Sequence, residues 1–315
     1  MHVAFYLQPS FYSAIAAALV ETLQTVNAVR ASPAFSFEFV SRVPRAVSKS
    51  GIVFSARTKP SRKVDVLVLL ATATIDPHET VNLLDGELPY VTPFIDRAIE
   101  EDATIAAICA APYFLAGAGV LDGKRSTISW WLKDATSRRF PRVRWQPSRL
   151  VIRQGRIYTS GAGFAGLDLV TTMLVDLGFA KEERMVRKLM VLPPMREFQS
   201  PYEMVLPEQR EPFEKKLNAV AKGSLEELSL DFLARRLGMS PRTLARRFSE
   251  ELGTSPGKWV QEKRLERARW LLEGTKLDIS EICHRVGYHD VPSFSRLFSR
   301  TTGMTPGEYR KHLRG

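Results

Sequence analysis

Cysteine is scarce in this 315-residue chain, with only Cys109 and Cys283, and histidine occurs five times. Two cysteines so far apart build neither a zinc framework nor a disulfide network, which suits a reducing compartment and makes the cytoplasm the expected location. No Lys or Arg precedes Arg30, so the apolar stretch 14–20 lacks the basic start of a secretory signal, and no export is expected. Long apolar runs are missing too. The stretch 103–121 carries no charge over nineteen residues, but it is rich in Ala, Gly and Thr and has Pro112 in its middle. It reads as a buried strand turning into a buried helix, and no membrane partner is expected. Acidic residues are in deficit, 34 Asp and Glu against 45 Lys and Arg, for a net charge of +11. That balance points to a polyanionic partner, while 44% hydrophobic and 25% charged content excludes a disordered or fibrous chain. The length favours two domains over one.

The first two hundred residues alternate short apolar runs with helical stretches. Strands are predicted at 2–7, 35–40, 64–70 and 104–109, and helices at 13–30, 88–101 and 113–121. A hairpin over 150–152 and 156–159 and a closing helix at 166–177 follow. Such alternation implies βαβ units around a mainly parallel sheet. Pro193, Pro194, Pro201, Pro207 and Pro212 then crowd a polar segment in which regular structure cannot persist, so 196–212 is expected to be a linker between a domain at 1–195 and one at 213–315.

The last hundred residues read as helices without a strand, and they contain an internal repeat. Arg246, Phe248, Gly253, Pro256, Gly257 and Trp259 are matched fifty residues later by Arg296, Phe298, Gly303, Pro306, Gly307 and Tyr309. In the first copy Leu230, Leu233, Ala234 and Leu237 form an apolar face. Gly238 there permits the positive φ of a helix end, while Ser240 and Pro241 supply the cap and first residue of the next helix. Leu244 and Phe248 then point inward, leaving Arg242, Thr243, Arg246 and Arg247 for a ligand. In the second copy Gly287 turns, Asp290 caps, and Ser293, Ser295, Arg296 and Arg300 face out beside an inward Phe294 and Phe298. Helix, Gly turn and a second helix bearing Arg and hydroxyls suit a DNA major groove, where Arg grips guanine edges and hydroxyls reach bases or phosphates. A connecting helix over 256–272 would hold both units so that their second helices enter successive grooves about 34 Å apart. From Arg235 to the end, seventeen Lys and Arg face nine Asp and Glu, so most of the excess charge sits here. Arg235, Arg236 and Lys263 read as a solvated helix face.

This tail resembles the AraC/XylS family of regulators over 224–314, including Val286-Gly287-Tyr288, Phe294-Ser295-Arg296-Leu297-Phe298 and the run from Gly303 through Arg310. The resemblance implies two helix-turn-helix units bridged by a long helix. It implies base-reading positions at Arg242, Ala245 and Arg246 and at Val291, Pro292, Ser293, Ser295 and Arg296. Ala245, Val291 and Pro292 offer no polar side chain, so the second unit is expected to lean more on phosphates or thymine methyls.

In the first domain, Cys109 falls where a strand ends and a helix begins. Such a turn exposes a side chain, and a helix N-terminus lowers a thiol pKa, which makes Cys109 a candidate nucleophile; the competing reading is a small buried hydrophobe. The run from Ala111 to Arg125, with Tyr158-Thr159-Ser160-Gly161 and Gly166-Leu167-Asp168-Leu169, resembles the class I glutamine amidotransferase-like superfamily, in the GlxA-type branch fused to an AraC tail. The resemblance implies a flavodoxin-like α/β fold. It also implies a catalytic His where Ser129 stands before Trp130, an acid near Ile15, and oxyanion glycines near Ala71, Thr72 and Ala73. All are replaced. The expectation is therefore a catalytically retired, dimerising sensor domain with a pocket for a small-molecule effector at Ser10, Thr72, Cys109, Ala110, Ser129 and Trp130, and with no cofactor or metal. The whole chain reads as a sequence-specific activator of transcription, a homodimer on double-stranded DNA that meets RNA polymerase. The alternative is a cysteine-dependent hydrolase or amidase with a DNA-localising tail, and a weaker third reading is redox sensing through Cys109.

Overall fold

The computed structural model describes residues 1–70, 72, 74, 76–203, 212–221 and 227–314. The chain divides into two units, Met1–Glu203 and Met204–Gly315.

The first unit is built on a six-stranded sheet in the order Ser36–Val40, His2–Tyr6, Val66–Leu69, Thr104–Ile108, Ile157–Ser160 and Val151–Gln154. The first five strands run parallel and the last is antiparallel to its neighbour. Helices cover both faces: Ser13–Ala28, Ala165–Asp176 and Ala180–Leu189 pack together in one layer, Pro77–Glu100 and Pro112–Gly117 in the other. The central strands Val66–Leu69 and Thr104–Ile108 are buried at every position, which explains why they read as unbroken apolar runs without alternation. This is the mainly parallel, flavodoxin-like architecture expected.

Each predicted strand forms, and the hairpin closes with Ile157 opposite Gln154 around Gly155, whose φ is +63°. The second helix begins at Pro77, about three turns before the predicted start. Asp76 caps it by accepting from the Glu79 N–H at 2.7 Å, and Pro89 and Pro93 are carried inside it. The helix expected to reach 121 stops at Gly117. The predicted membrane-length stretch 103–121 is a buried strand and helix, and among the described residues no helix is long and apolar enough to cross a membrane. Of the segment expected to be a linker, 196–203 is docked on the first unit, and 204–211 lies outside the described residues.

The second unit holds Pro212–Ala221, Leu230–Leu237, Pro241–Leu252, Pro256–Gly274, Ile279–Arg285, Val291–Thr302 and Pro306–Arg314, all helices, with no strand among the described residues. The sequence repeat is a packing repeat. Phe248 meets Trp259 edge-on at 5.7 Å, and Phe298 meets Tyr309 edge-on at 5.3 Å, so the same ring pair fastens each unit's second helix to the helix that follows.

Candidate functional site

In the first helix-turn-helix unit, Ser229 caps Leu230–Leu237 by accepting from the Phe232 N–H, and Gly238 ends that helix at φ +65°. Ser240 opens Pro241–Leu252 by accepting from the Thr243 N–H at 3.1 Å, and Leu244 and Phe248 are fully buried. Arg242 and Arg246 stand exposed on the outer face. Thr243 and Arg247 do not. Thr243 Oγ1 is bonded to Ser240 Oγ at 2.9 Å, so its hydroxyl serves the cap. Arg247 lies 4.1 Å over the Phe213 ring and forks onto Glu251, with Nε and Nη2 at 2.5 and 3.1 Å from the two carboxylate oxygens. Of the four residues expected to face a ligand, Arg242 and Arg246 are exposed and Thr243 and Arg247 half-buried, Arg247 because Phe213 of the helix Pro212–Ala221 lies under its guanidinium.

The second unit repeats this. Asp278 caps Ile279–Arg285, Gly287 turns at φ +83°, and Asp290 caps Val291–Thr302 by accepting from the Ser293 N–H at 2.7 Å. The Ser293 hydroxyl and N–H hold the Asp290 carboxyl below the usual carboxylate range, so the cap is charged at neutral pH. Phe294 and Phe298 are buried, while Ser293, Arg296 and Arg300 are exposed and Ser295 is half-buried. Arg296 Nη2 donates to Ser293 Oγ at 3.0 Å, which orders the guanidinium on the outer face.

In the first domain Cys109 follows its strand at φ +64°, a left-handed turn. The turn does not expose it: Cys109 is 1% exposed. Burial pushes the thiol up, against the Ser129 hydroxyl and the Gly163 and Ala110 backbone groups that favour a thiolate. Of the two readings of Cys109, burial favours the small buried side chain over an activated thiol at a helix N-terminus, because desolvation outweighs the local dipoles. Ser129 Oγ donates to Cys109 Sγ at 2.9 Å, and the Ser129 N–H donates to the Cys109 carbonyl. Ser129 thus holds the thiol but cannot take its proton. Ile15, where an acid would stand, is a buried core residue. His2 is bonded to Glu38 and Ser36, and His78 is exposed at the start of Pro77–Glu100, so neither serves Cys109.

Thr72 is buried and bridges Phe11; Ala110 is buried, Trp130 is half-buried against Trp131, and Ser10 is half-buried at φ +58°. Ala71 and Ala73 lie outside the described residues. Two residues not expected from the sequence to line the pocket join this end of the sheet. Gln8 and Ser160 sit at or beyond the carboxyl ends of their strands, 2% and 0% exposed. Both Gln8 amide atoms, Thr72 Oγ1 and Ser160 Oγ have no hydrogen-bond partner among the described residues. Buried polar atoms left unpaired are costly, and the carboxyl edge of a parallel sheet is where doubly wound folds bind ligands.

Gln199 was also missed. It is 1% exposed; its Nε2 donates to the Ile128 carbonyl at 2.8 Å and to the Pro147 carbonyl at 2.5 Å, and its Oε1 accepts from the Ala162 N–H at 3.3 Å. Ile128 precedes Ser129 and Ala162 precedes Gly163, so one side chain ties the two segments around Cys109 to the chain leaving the domain.

Two capped helix-turn-helix units with matching basic faces, joined by one helix and preceded by a doubly wound α/β domain, define a DNA-binding regulator with a ligand-pocket fold. Residues 233–312 match the helix-turn-helix domain family and residues 86–174 the DJ-1/PfpI family. The chain is 30% identical over 249 residues to the HTH-type transcriptional regulator ArgR of Pseudomonas aeruginosa, covering 74% of this chain and 73% of that protein. It is 26% identical to GbdR of the same species over 98% of this chain and 84% of that protein, and 32% identical to GlxA of Rhizobium meliloti over 66% and 65%. A transcriptional regulator from Vibrio parahaemolyticus shares the fold of the first domain at TM-score 0.53 and 16% identity, over 60% of this chain and 98% of that one. The chain belongs to the AraC-type HTH transcriptional regulators that carry a DJ-1/PfpI-like sensing domain.

Proposed function

We propose that this regulator is an effector-responsive activator whose specific contacts to double-stranded DNA are made by Arg242 and Arg246 in one groove and by Ser293, Ser295, Arg296 and Arg300 in the next. The observation that carries this reading is the placement of Arg246 and Arg296 fifty residues apart, both exposed on helices capped and anchored in the same way. Thr243 and Arg247, both half-buried, brace the first helix through Ser240, Glu251 and Phe213. The effector is a small molecule held at the carboxyl edge of the sheet by Ser10, Thr72, Cys109, Ala110, Ser129 and Trp130, with the unpaired groups of Gln8 and Ser160 supplying hydrogen bonds. The first domain is catalytically retired, since a buried, protonated thiol beside a hydroxyl has no base to activate it. The protein works as a cytoplasmic homodimer, and an activator bound this way would contact RNA polymerase.

Capture of genomic fragments by the purified full-length protein, followed by sequencing, tests the DNA reading: a shared bipartite motif upstream of genes is expected, and fragments without a common motif would sink it. A hydrolysis and amidase screen of the parent and Cys109→Ser tests the retired site. No saturable turnover is expected in either. Turnover that disappears in Cys109→Ser would establish the hydrolase alternative instead.

A further inference from the structure

The bridging helix Pro256–Gly274 has nineteen residues, so it is about 28 Å long at 1.5 Å per residue. Its two halves serve different units. Trp259 near its start packs on Phe248 of the first unit, and Glu273 near its end accepts from the Tyr309 hydroxyl of the second at 3.1 Å. Arg264 lies at the middle. Its Nη1 donates to the carbonyl of Gly287, the turn residue of the second unit, at 2.8 Å. Its Nη2 reaches the carbonyl of Leu228 at 3.4 Å; Leu228 is buried in the first unit's core, one residue before the Ser229 cap. The guanidinium also covers the Tyr288 ring at 5.3 Å, and Tyr288 packs on Phe294 inside the second unit.

We infer that Arg264 is the positioning residue that fixes the register between the two helix-turn-helix units and so sets the one separation of half-motifs the protein accepts. The inference rests on the proposal that both units enter grooves of one DNA. Rotation of either unit about the bridging helix would move its turn carbonyl or its entry carbonyl off the guanidinium. Only a planar fork of donors can hold both carbonyls and stack on a ring at once; a lysine ammonium is a single point on a flexible stem. Arg264 is half-buried and directed at protein carbonyls, so it specifies spacing without touching a base.

The test is selection of binding sites from a random-sequence DNA pool by the full-length parent and by Arg264→Leu. The parent is expected to enrich two half-motifs at one separation. Arg264→Leu is expected to enrich the same half-motifs at two or more separations, and to bind the parent's site at least tenfold more weakly. The same single separation in both pools, with affinities within twofold, would overturn the inference. Arg264→Lys, which keeps a donor for Gly287 but cannot span to Leu228, carries the same expected and overturning results if the leucine variant fails to fold. A parent pool holding one half-motif would overturn the two-groove reading and this inference together, whereas a bipartite parent pool with unchanged variant spacing overturns the role of Arg264 alone.

Discussion

Arg246 and Arg296 can be separated from their neighbours by what each would have to give up to reach a base. Arg246 faces Glu250 at 3.3 Å in an exposed i,i+4 pair, an interaction of about 0.3–0.5 kcal/mol that a guanine edge easily replaces. Arg296 donates to the Ser293 hydroxyl at 3.0 Å, a neutral partner three residues back on its own helix that a base edge can replace. Replacing either with Ala is expected to cost about 1–3 kcal/mol in binding to the selected site and little on scrambled DNA, read by parallel titrations; equal losses on both DNAs would reassign the arginine to phosphate contact. Arg247→Ala should behave differently. It removes the cover on Phe213 and the fork to Glu251, so a lower Tm and a parallel weakening on both DNAs are expected, and a selective loss on the specific site would contradict its placement. For Cys109, burial raises the thiol, so its folded-state pKa lies above that of the unfolded chain. The stability this contributes is present below the ordinary thiol pKa and is lost as pH rises through the raised value, because the unfolded chain sheds the proton first. Iodoacetamide at neutral pH is therefore expected to leave native Cys109 unlabelled while labelling it in urea, as mass spectrometry would show. Rapid labelling of the native protein would restore a reactive thiol.

Among the elements, the segment that leaves the first domain is the least expected. Glu197, Phe198 and Gln199 pair along the edge formed by Ser148, Arg149 and Leu150, and Gln199 plugs the gap behind Gly161. A Cβ at Gly161 would lie 2.3 Å from Gln199 Oε1, and the amide has little freedom to retreat because its nitrogen is bonded on the far side. Gln199→Ala is expected to destabilise the domain by about 1–3 kcal/mol through unpaired buried carbonyls, and Gly161→Ala to do so by expelling the amide. In a double-mutant cycle by urea unfolding, Gly161→Ala should cost much less in the Gln199→Ala background. Strict additivity would mean the two residues do not meet. No sequence pattern could announce Gln199: its partners at 128 and 162 are 71 and 37 residues away, and the prolines around it read as a linker. The strands His2–Tyr6, Val66–Leu69 and Thr104–Ile108, by contrast, were legible because each is a short apolar run buried on both faces, and the recognition helices because Ser240, Pro241, Gly253 and their counterparts are local signals. The first turns of Pro77–Glu100 were obscured because Pro89 reads as an opening residue of a helix that starts at 88. The contacts of Arg247 were hidden for the same reason as those of Gln199. Helical spacing places it on the outer face, but Phe213, from a different helix, decides where it goes.

At the scale of the whole molecule, charge and ligand chemistry are divided between the units. The basic excess is concentrated in the tail, which has the helix-turn-helix pair, while Gln8, Thr72 and Ser160, whose buried polar atoms are unpaired at the carboxyl edge of the sheet, lie in the α/β domain. A single tail engaging two grooves gains affinity from the phosphates it neutralises, and that gain falls steeply with salt. If the α/β domain pairs two chains, the second tail binds as an intramolecular event at an effective concentration that can reach millimolar, with no new contact to DNA. The expected signature depends on the DNA. On a fragment with one copy of the selected site, the isolated tail 212–315 and the full chain should bind within a few-fold of each other at equal salt. On a fragment with two copies the full chain should bind at least tenfold tighter, and only while both copies remain intact. Equal affinities on the doubled site, together with a monomer at micromolar concentration in analytical ultracentrifugation, would remove the dimer from this account and leave the α/β domain as a sensor that acts within one chain.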